Sequence, residues 1–485
     1  MCDFRLIPAW LVLFVTPLLQ ETGFATEVRP HIVIILVDDM GYGDAACYNS
    51  ASGIDTPVID SLAQKGMKFT DAHAPGPLCH MSRYGLLTGE YPFRIDVQPW
   101  RTRPLIRKGR MTIASLARRC GYHTSMVGKW HLGFAEDGYE KPLRGGPVDR
   151  GFHSYFGIRA STDIPPYFYI HQDRVVQLPV NYIEQRLGTG LVPLQGPFWR
   201  GGRIAPDLNL EDVLPRFTDE AIQVIRNHAA ERIEKPLMLY LAYPAPHSPW
   251  LPSTEFHGKS HAGTYGDFMM MVDTETGRVL QALDDAQMTD NTLLIFTSDN
   301  GPMWFEQDCV RFGHDSSGGL RGMKADVWEG GHRVPFLVRW PGRVPARSSS
   351  SQLICFTDLL ATFADLLKSD LPQGAGPDSL SFLPALTGQS AQDGLNRDTL
   401  IMQAGLVPSI MSIRMGDWKL ITDIGSGGFS SREEQVTRKP DDPAGQLYNL
   451  ADDLSELHNL YEHRPEIVRQ LLRHLNRITA AARSR

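Results

Sequence analysis

The stretch HIVIILVDDM, residues 31–40, decides how this chain is read. Ile32–Val37 are apolar at every position, and two acids, Asp38 and Asp39, close the run. A strand with one wet face alternates apolar and polar residues. A short run that is apolar throughout has both faces covered, as in a parallel sheet layered by helices. Ligands of such sheets gather beyond the carboxyl ends of the strands. Adjacent carboxylates placed there are costly unless a cation or hydrogen-bond donors meet them.

The same pattern recurs along the chain. Pro236–Ala242, PLMLYLA, predicts a second buried strand and runs into Tyr-Pro-Ala-Pro-His247-Ser-Pro, whose prolines aim the histidine. Leu293–Thr297 predicts another, ending Ser298-Asp299-Asn300-Gly301, and Phe336–Trp340 a further one. Thr124–Val127 predicts a short strand followed by Lys129 and His131, which point the same way if the chain stays extended. Between the strands lie helical patterns: Val58–Lys65, stopped by Gly66; Ile113–Arg119; Thr218–Ala230; Tyr265–Leu283, which carries Asp273; and Leu353–Leu367. Strands alternating with helices predict an α/β fold with a central, mostly parallel mixed sheet.

Those strand ends deliver carboxylate and amide oxygens from Asp38, Asp39, Asp299 and Asn300, and imidazoles from His131 and His247. An all-oxygen set suits a hard cation such as Ca²⁺ or Mg²⁺ rather than zinc. Lys129, Lys324 and Arg83 supply fixed positive charge, which suits an oxyester whose charge shifts to a leaving oxygen. Arg83 belongs to Leu78–Gly89, LCHMSRYGLLTG, a short helical run in which the Cys79–Ser82 end provides a polar start and Gly89 a stop. A lone cysteine is usually a buried structural residue; here Cys79 keeps the company of these cations and acids.

Composition narrows the class. The chain has 485 residues, 42% hydrophobic and 21% charged, so two or three packed units are expected. A net charge of −7 argues against nucleic acid as a partner and against a polybasic membrane contact. Residues 1–25 read as a secretory signal peptide cleaved after Ala25, with an apolar run too short to span a bilayer. A secreted or periplasmic protein without a stable membrane anchor is expected. The chain contains no Asn-x-Ser/Thr sequon, which favours bacterial export over a glycosylated compartment. Of six cysteines, five follow Ala25, so at least one is unpaired or modified.

Residues 164–215 lack clear periodicity, and Tyr167, Tyr169, His171 and Trp199 suggest a pocket wall. A shift rich in Gly, Ser and Pro over 368–379 precedes the short runs Ser409–Arg414, Trp418–Thr422 and Gln446–Leu450 and a final helix, Pro465–Arg483. These predict a smaller α+β subdomain with an antiparallel sheet. The expected division is 26–390 for the catalytic domain and 391–485 for the subdomain.

Cys79, Ser82, Arg83, Leu87, Thr88 and Gly89 resemble the sulfatase signature, with Met81 where that pattern has Pro or Ala. GYHTSMVGKWHLG, residues 121–133, resembles the family's second signature, and LRGMK, EGGHRVP, RMGDWKLI and QLYNLADDLSELHNL resemble further segments. The likeness spans about 31–462 and is nearest the arylsulfatase A and N-acetylgalactosamine-6-sulfatase group. It implies an alkaline-phosphatase-like fold and hydrolysis of sulfate monoesters of a carbohydrate or aryl alcohol. It implies that a formylglycine-generating or radical maturase oxidises Cys79 to formylglycine on the unfolded chain. By the same resemblance, Asp38, Asp39, Asp299, Asn300 and residue 79 hold Ca²⁺, ahead of Mg²⁺. Asp299 helps take a proton from the attacking hydroxyl, and Arg83 and Lys129 steady the formylglycine hydrate. Lys129, Ser161, His247 and Lys324 face the sulfated substrate, with Lys324 or His247 protonating the leaving alcohol. His131 takes a proton from the second hydroxyl, so that sulfate is expelled. Two other functions share these residues: a phosphodiesterase or phosphonate ester hydrolase of the same superfamily, and, with Cys79 unmatured, a non-catalytic sulfated-glycan-binding protein.

Overall fold

The structure is a computed structural model that describes residues 1–2, 29–231, 234–388, 396–430 and 439–484. The expected signal peptide, beyond its first two residues, and the boundary at 390/391 lie outside the described residues.

The strand His31–Asp38 sits in the middle of a ten-stranded sheet, paired in parallel with Leu237–Pro246 on one side and Thr292–Ser298 on the other. Beyond Leu237–Pro246, His123–Lys129 and then Ser154–Ile158 continue the parallel run. Phe336–Arg339 pairs antiparallel with both its neighbours, and Ile170–His171 and Arg174–Val175 add antiparallel pairings at one edge, which makes the sheet mixed. The unbroken apolar runs have the predicted cause. Ile32, Ile34 and Leu36 face one core, against the helices Cys79–Thr88, Ile113–Arg119 and Leu359–Leu366. Val33, Ile35 and Val37 face the other, against Pro57–Lys65, Val213–Ala230 and Gly263–Asp285. A one-residue slip of such a strand exchanges its two apolar sets, so register rests on strand ends as well as on packing. Asp273 fixes one helix start by accepting from the Val58 and Ile59 amides at 3.1 and 2.8 Å.

The C-terminal unit is a four-stranded antiparallel sheet of Thr399–Gln403, Met411–Met415, Trp418–Ile421 and Gln446–Asn449. Ile401, Ile413, Leu420 and Leu447 pack on the helix Pro465–Ala480. Leu400, Met402, Ile421 and Tyr448 instead meet Tyr91, Val327, Trp328 and Cys355 of the larger unit. The sheet therefore has no bare apolar face.

Two expectations need correction. Ile354–Cys355 is a short strand and the following helix begins only at Leu359, so Leu353–Leu367 is not one helix. Tyr167 and Tyr169 are core residues, while Ile164, Leu194, Phe198 and Arg200 of the same segment do line a cavity; residues 164–215 also contain short strands, including the pair Asn181–Ile183 and Gly202–Ile204. All six cysteines are unpaired, which agrees with the odd number that follows Ala25.

Candidate active site

The register of the parallel strands builds the site. Val37 pairs with Ser298, which sets Asp38 and Asp299 side by side at one sheet edge, and the Asp299 amide donates to the Val37 carbonyl at 3.0 Å. Asp39 turns the chain away with φ 68°, a left-handed conformation that Asp tolerates better than most residues. Its own amide faces Asp299 Oδ1 at 3.3 Å. Asn300 Nδ2 donates to Asp39 Oδ1 at 2.7 Å and to the Gly301 carbonyl at 2.9 Å, and Asn300 Oδ1 is buried without a protein partner.

The helix Cys79–Thr88 enters beside these acids. Its N-cap is Leu78 and no side chain caps it; Ser82 Oγ is buried and unpartnered, so the expected polar cap is absent. The stop at Gly89 is as predicted, with φ 66°. Cys79 opens the helix and places Sγ 3.3 Å from Asp38 Oδ1. Arg83 stands one turn on, on the same face. Its Nε and Nη2 meet Asp299 Oδ2 at 3.0 and 2.6 Å, and its Nη1 donates to the Lys129 carbonyl at 2.9 Å. Lys129 ion-pairs with Asp38, and Lys324 Nζ lies 2.7 Å from Asp39 Oδ2. Three buried carboxylates thus meet three buried cations.

His247 and His131 close the site. His247 Nδ1 lies 2.6 Å from the Ser248 carbonyl, which can only accept, so Nδ1 carries a hydrogen and Nε2 faces Asp39 Oδ2 at 3.7 Å. Lys129 is the last residue of its strand, but His131 has φ 56°. The chain is not extended there, and the turn rather than strand alternation aims the imidazole. Both His131 nitrogens are buried and unpartnered, and the ring meets Trp100 edge-on at 4.2 Å. A cavity of about 210 Å³ opens above, lined by Cys79, His131, Ser161, His247 and Lys324, with Ser161 Oγ also unpartnered.

Electrostatics separates the roles these groups can play. Burial alone would raise the Asp38 carboxyl, but Lys129, His247, Arg83 and Lys324 together hold it far below the usual range. Burial and the neighbouring Asp38 push Asp299 up, to about 6. Burial, then Asp38, pushes the Cys79 thiol far up, so it is protonated and a poor nucleophile. Burial, then Lys129 and His80, hold the His131 imidazole well below its ordinary value, which keeps it neutral and able to accept a proton. Burial opposes the Lys324 charge, but Asp39 outweighs it and holds the ammonium charged. The donor set fits a hard divalent cation: oxygens of Asp38, Asp39 and Asp299 converge, and the orphaned Asn300 Oδ1 is a ready further ligand. Potential ligand atoms of Asp38, Asp39, Cys79 and His247 lie within 4.8 Å of one another.

The candidate site residues Asp38, Asp39, Cys79, Arg83, Lys129, His131, Ser161, His247, Asp299, Asn300 and Lys324 come together here. Others were not foreseen. Asp163 lines the cavity with Oδ1 buried and unpartnered while Oδ2 pairs with Arg200; it ends the same GFHSYFGIRASTD stretch that carries Ser161, which was its one visible signal. His80, Trp100, Arg101 and Phe198 also line the wall. His80 is the second residue of its helix, Trp100 and Arg101 end the short turn Gln98–Arg101, and Phe198 lies in the 164–215 segment expected to wall the pocket.

Sheet, covering helices and site together define an alkaline-phosphatase-like α/β enzyme. The chain belongs to the sulfatase family: the family profile described as Sulfatase matches residues 30–369. It is accordingly a sulfuric ester hydrolase. An N-acetylgalactosamine-6-O-sulfatase of Bacteroides thetaiotaomicron is 34% identical, covering 93% of each chain. Human arylsulfatase A is 34% identical over 77% of this chain and 71% of its own. A solved Bacteroides thetaiotaomicron structure, described in connection with the metabolism of multiple glycosaminoglycans, superposes with a TM-score of 0.81. It is 31% identical and covers 94% of this chain and 100% of its own.

Proposed function

We propose that the protein removes sulfate from a sulfated carbohydrate, using a formylglycine made from Cys79 and a Ca²⁺ ion held by Asp38, Asp39, Asp299 and Asn300. The observation that carries this reading is the place of Cys79. Its Sγ lines the cavity, where a nucleophile belongs, 3.3 Å from Asp38 Oδ1 and among the carboxylates that Arg83, Lys129 and Lys324 meet. A cysteine left as it is has no use for the three cations and neutral imidazole around it. Cys79 is 3% exposed, so a maturase acts on the chain before it folds.

A formylglycine hydrate at residue 79 would supply one hydroxyl to attack sulfur and a second that would allow the sulfate to be expelled, and a cation held by the neighbouring acids would supply Lewis-acid polarisation. The chain's own residues do the rest. Asp299 accepts the proton of the attacking hydroxyl. Arg83 and Lys129 hold negative charge at residue 79. Lys324 anchors the sulfate and, being held charged by Asp39, is a poor proton donor. Protonation of the leaving alcohol therefore falls to His247 Nε2, whose Nδ1 is already committed to the Ser248 carbonyl. The neutral His131 takes the later proton. Ser161 Oγ and Asp163 Oδ1, neither with a hydrogen-bond partner in the protein, present oxygens to sugar hydroxyls.

The test combines mass spectrometry of the peptide containing residue 79 with parallel assays on N-acetylgalactosamine 6-sulfate, an aryl sulfate and an aryl phosphodiester. The reading expects formylglycine in active protein and turnover of the sulfates. Active protein carrying only cysteine, or turnover of the diester alone, would sink it.

A further inference from the structure

The cavity wall carries two arginines, and they differ. Arg200 has its counter-ion, Asp163. Arg101 is exposed, and among the described residues no carboxylate lies within ion-pair distance of it. Its guanidinium instead stacks over the Trp100 ring, 5.2 Å from the centroid. Trp100 is 8% exposed and wedged against His80 and His131, so the platform beneath Arg101 is rigid. A guanidinium stacked in this way keeps its edge donors free, in the fork that matches a carboxylate or sulfate. Arg101 also begins RTRPLIRKGR, residues 101–110, which holds five cations and no acid in a chain of net charge −7. Arg103 and Arg110 reach Asp96 and Glu90. Nothing comparable meets Arg101, at the cavity itself.

We propose that Arg101, stacked on Trp100, forms a second anion subsite at the cavity mouth, distinct from the proposed sulfate-binding floor of His247 and Lys324. The inference rests on the sulfatase reading above and narrows it. The preferred substrate carries, besides the sulfate removed, a second anionic group on the same or the adjoining sugar. That group is a carboxylate or another sulfate, and both offer the paired oxygens the fork takes. The floor is lined by buried groups and accepts one tetrahedral anion; a second anion has only the mouth to occupy.

The experiment uses the matured full-length protein and its Arg101→Ala, Arg101→Lys and Arg101→Glu variants. The substrates are a monosulfated monosaccharide, the same sugar with a second sulfate, and a sulfated disaccharide with a neighbouring uronate. In the parent protein kcat/KM is expected to favour one or both doubly anionic substrates. Arg101→Ala should cut that preference about ten-fold, the scale of one charge-assisted hydrogen bond, through KM rather than kcat. Arg101→Glu should abolish it and Arg101→Lys keep part of it. Which doubly anionic substrate loses its advantage tells carboxylate from sulfate. An unchanged preference in Arg101→Ala, or an equal loss on all three substrates, overturns the subsite, the latter reducing Arg101 to general steering. If no sulfate ester is turned over by any form, the sulfatase reading has failed. Calorimetric titration of the same sugars into the unmatured protein then decides the subsite alone: it stands if doubly anionic sugars bind more tightly and Arg101→Ala removes the difference, and falls otherwise.

Discussion

Asp299 is proposed to hold two tasks in one carboxylate: Oδ1 faces Asp39 among the acids proposed to hold the cation, and Oδ2 anchors Arg83. Asp299→Asn keeps the volume and one oxygen for Arg83 but loses the charge and the proton acceptor. Turnover should fall by about a thousand-fold or more, with bound Ca²⁺, read by elemental analysis, falling too. A variant with parental rate and metal content would place the chemistry elsewhere. Met81 permits a second prediction. It is the third residue of its helix, where the amide has no intrahelical carbonyl to meet, so Met81→Pro costs no helix bond. Pro stiffens the peptide a maturase reads. The parent protein, when overproduced, should therefore be a mixture of formylglycine and cysteine at residue 79, and Met81→Pro should contain more formylglycine; equal fractions by mass spectrometry would count against it. At this scale the acids Asp38, Asp39, Asp299 and Asn300 were legible because apolar runs end directly on them. Asp163, Trp100 and Arg101 were not, because irregular loops bring them to the cavity and local sequence carries no trace of that path.

The helix Cys79–Thr88 is the element on which the site most depends, because Cys79 and Arg83 ride on one face of it. Its end is set by Gly89, in the left-handed region at φ 66°. A Cβ there would also lie 2.9 Å from Gly376 Cα, a backbone atom that cannot swing aside. Gly89→Ala should thus cost more than the roughly 1 kcal/mol of conformational strain alone. It should lower Tm and, by shifting the helix, lower kcat as well. A variant with parental Tm and kcat would show that the end of this helix does not position its start. Element ends marked by Gly66 and Gly89 could be read from the sequence because they answer to backbone sterics. The start at Leu78 could not, since no capping side chain marks it. Leu353–Leu367 misled because an apolar run does not distinguish a short strand from the helix after it. Thr399–Gln403 was overlooked for the opposite reason: Leu400 and Met402 face the large unit and Ile401 the last helix, so no alternation shows.

On the scale of the whole molecule, buried charge governs both pH response and the joining of the two units. At the amino-end edge of the sheet, His31, His228, His123 and His153 form a chain of rings 5.2 to 6.0 Å apart. Burial, then His228, lowers the His31 pKa to about 4, and burial lowers the other three. A base with a depressed folded pKa is protonated first in the unfolded chain, so this stability is complete above about pH 6.5 and is lost as pH falls toward 4. His31→Gln should flatten the fall of Tm across that window, and an unchanged slope would remove His31 from the account. The junction of the units is the stronger case. Lys419 of the C-terminal sheet is 1% exposed, with Nζ at 3.0 Å from Glu329 and 2.9 Å from Glu456. Arg414 of the same sheet makes a two-pronged pair with Asp71, at 2.8 Å in each bond. The composition shift near 368–379 revealed that there are two units, but no local pattern reveals charges that pair across more than 300 residues. Lys419→Met leaves Glu329 with Arg333 as its remaining cation, at 3.2 Å, and strands Glu456 beside it. Removing one member of such a buried set costs about 3–5 kcal/mol. Burial already raises the Glu456 pKa above its usual value, with Glu329 adding to it and Lys419 opposing. Without Lys419 that carboxyl takes up a proton more readily, so the variant's deficit should be largest at pH 8 and shrink as pH falls toward 5. Thermal unfolding at the two pH values tests this. A Tm within a degree of the parent at pH 8, or a deficit that does not shrink on acidification, would show that the clamp contributes nothing to holding the units together.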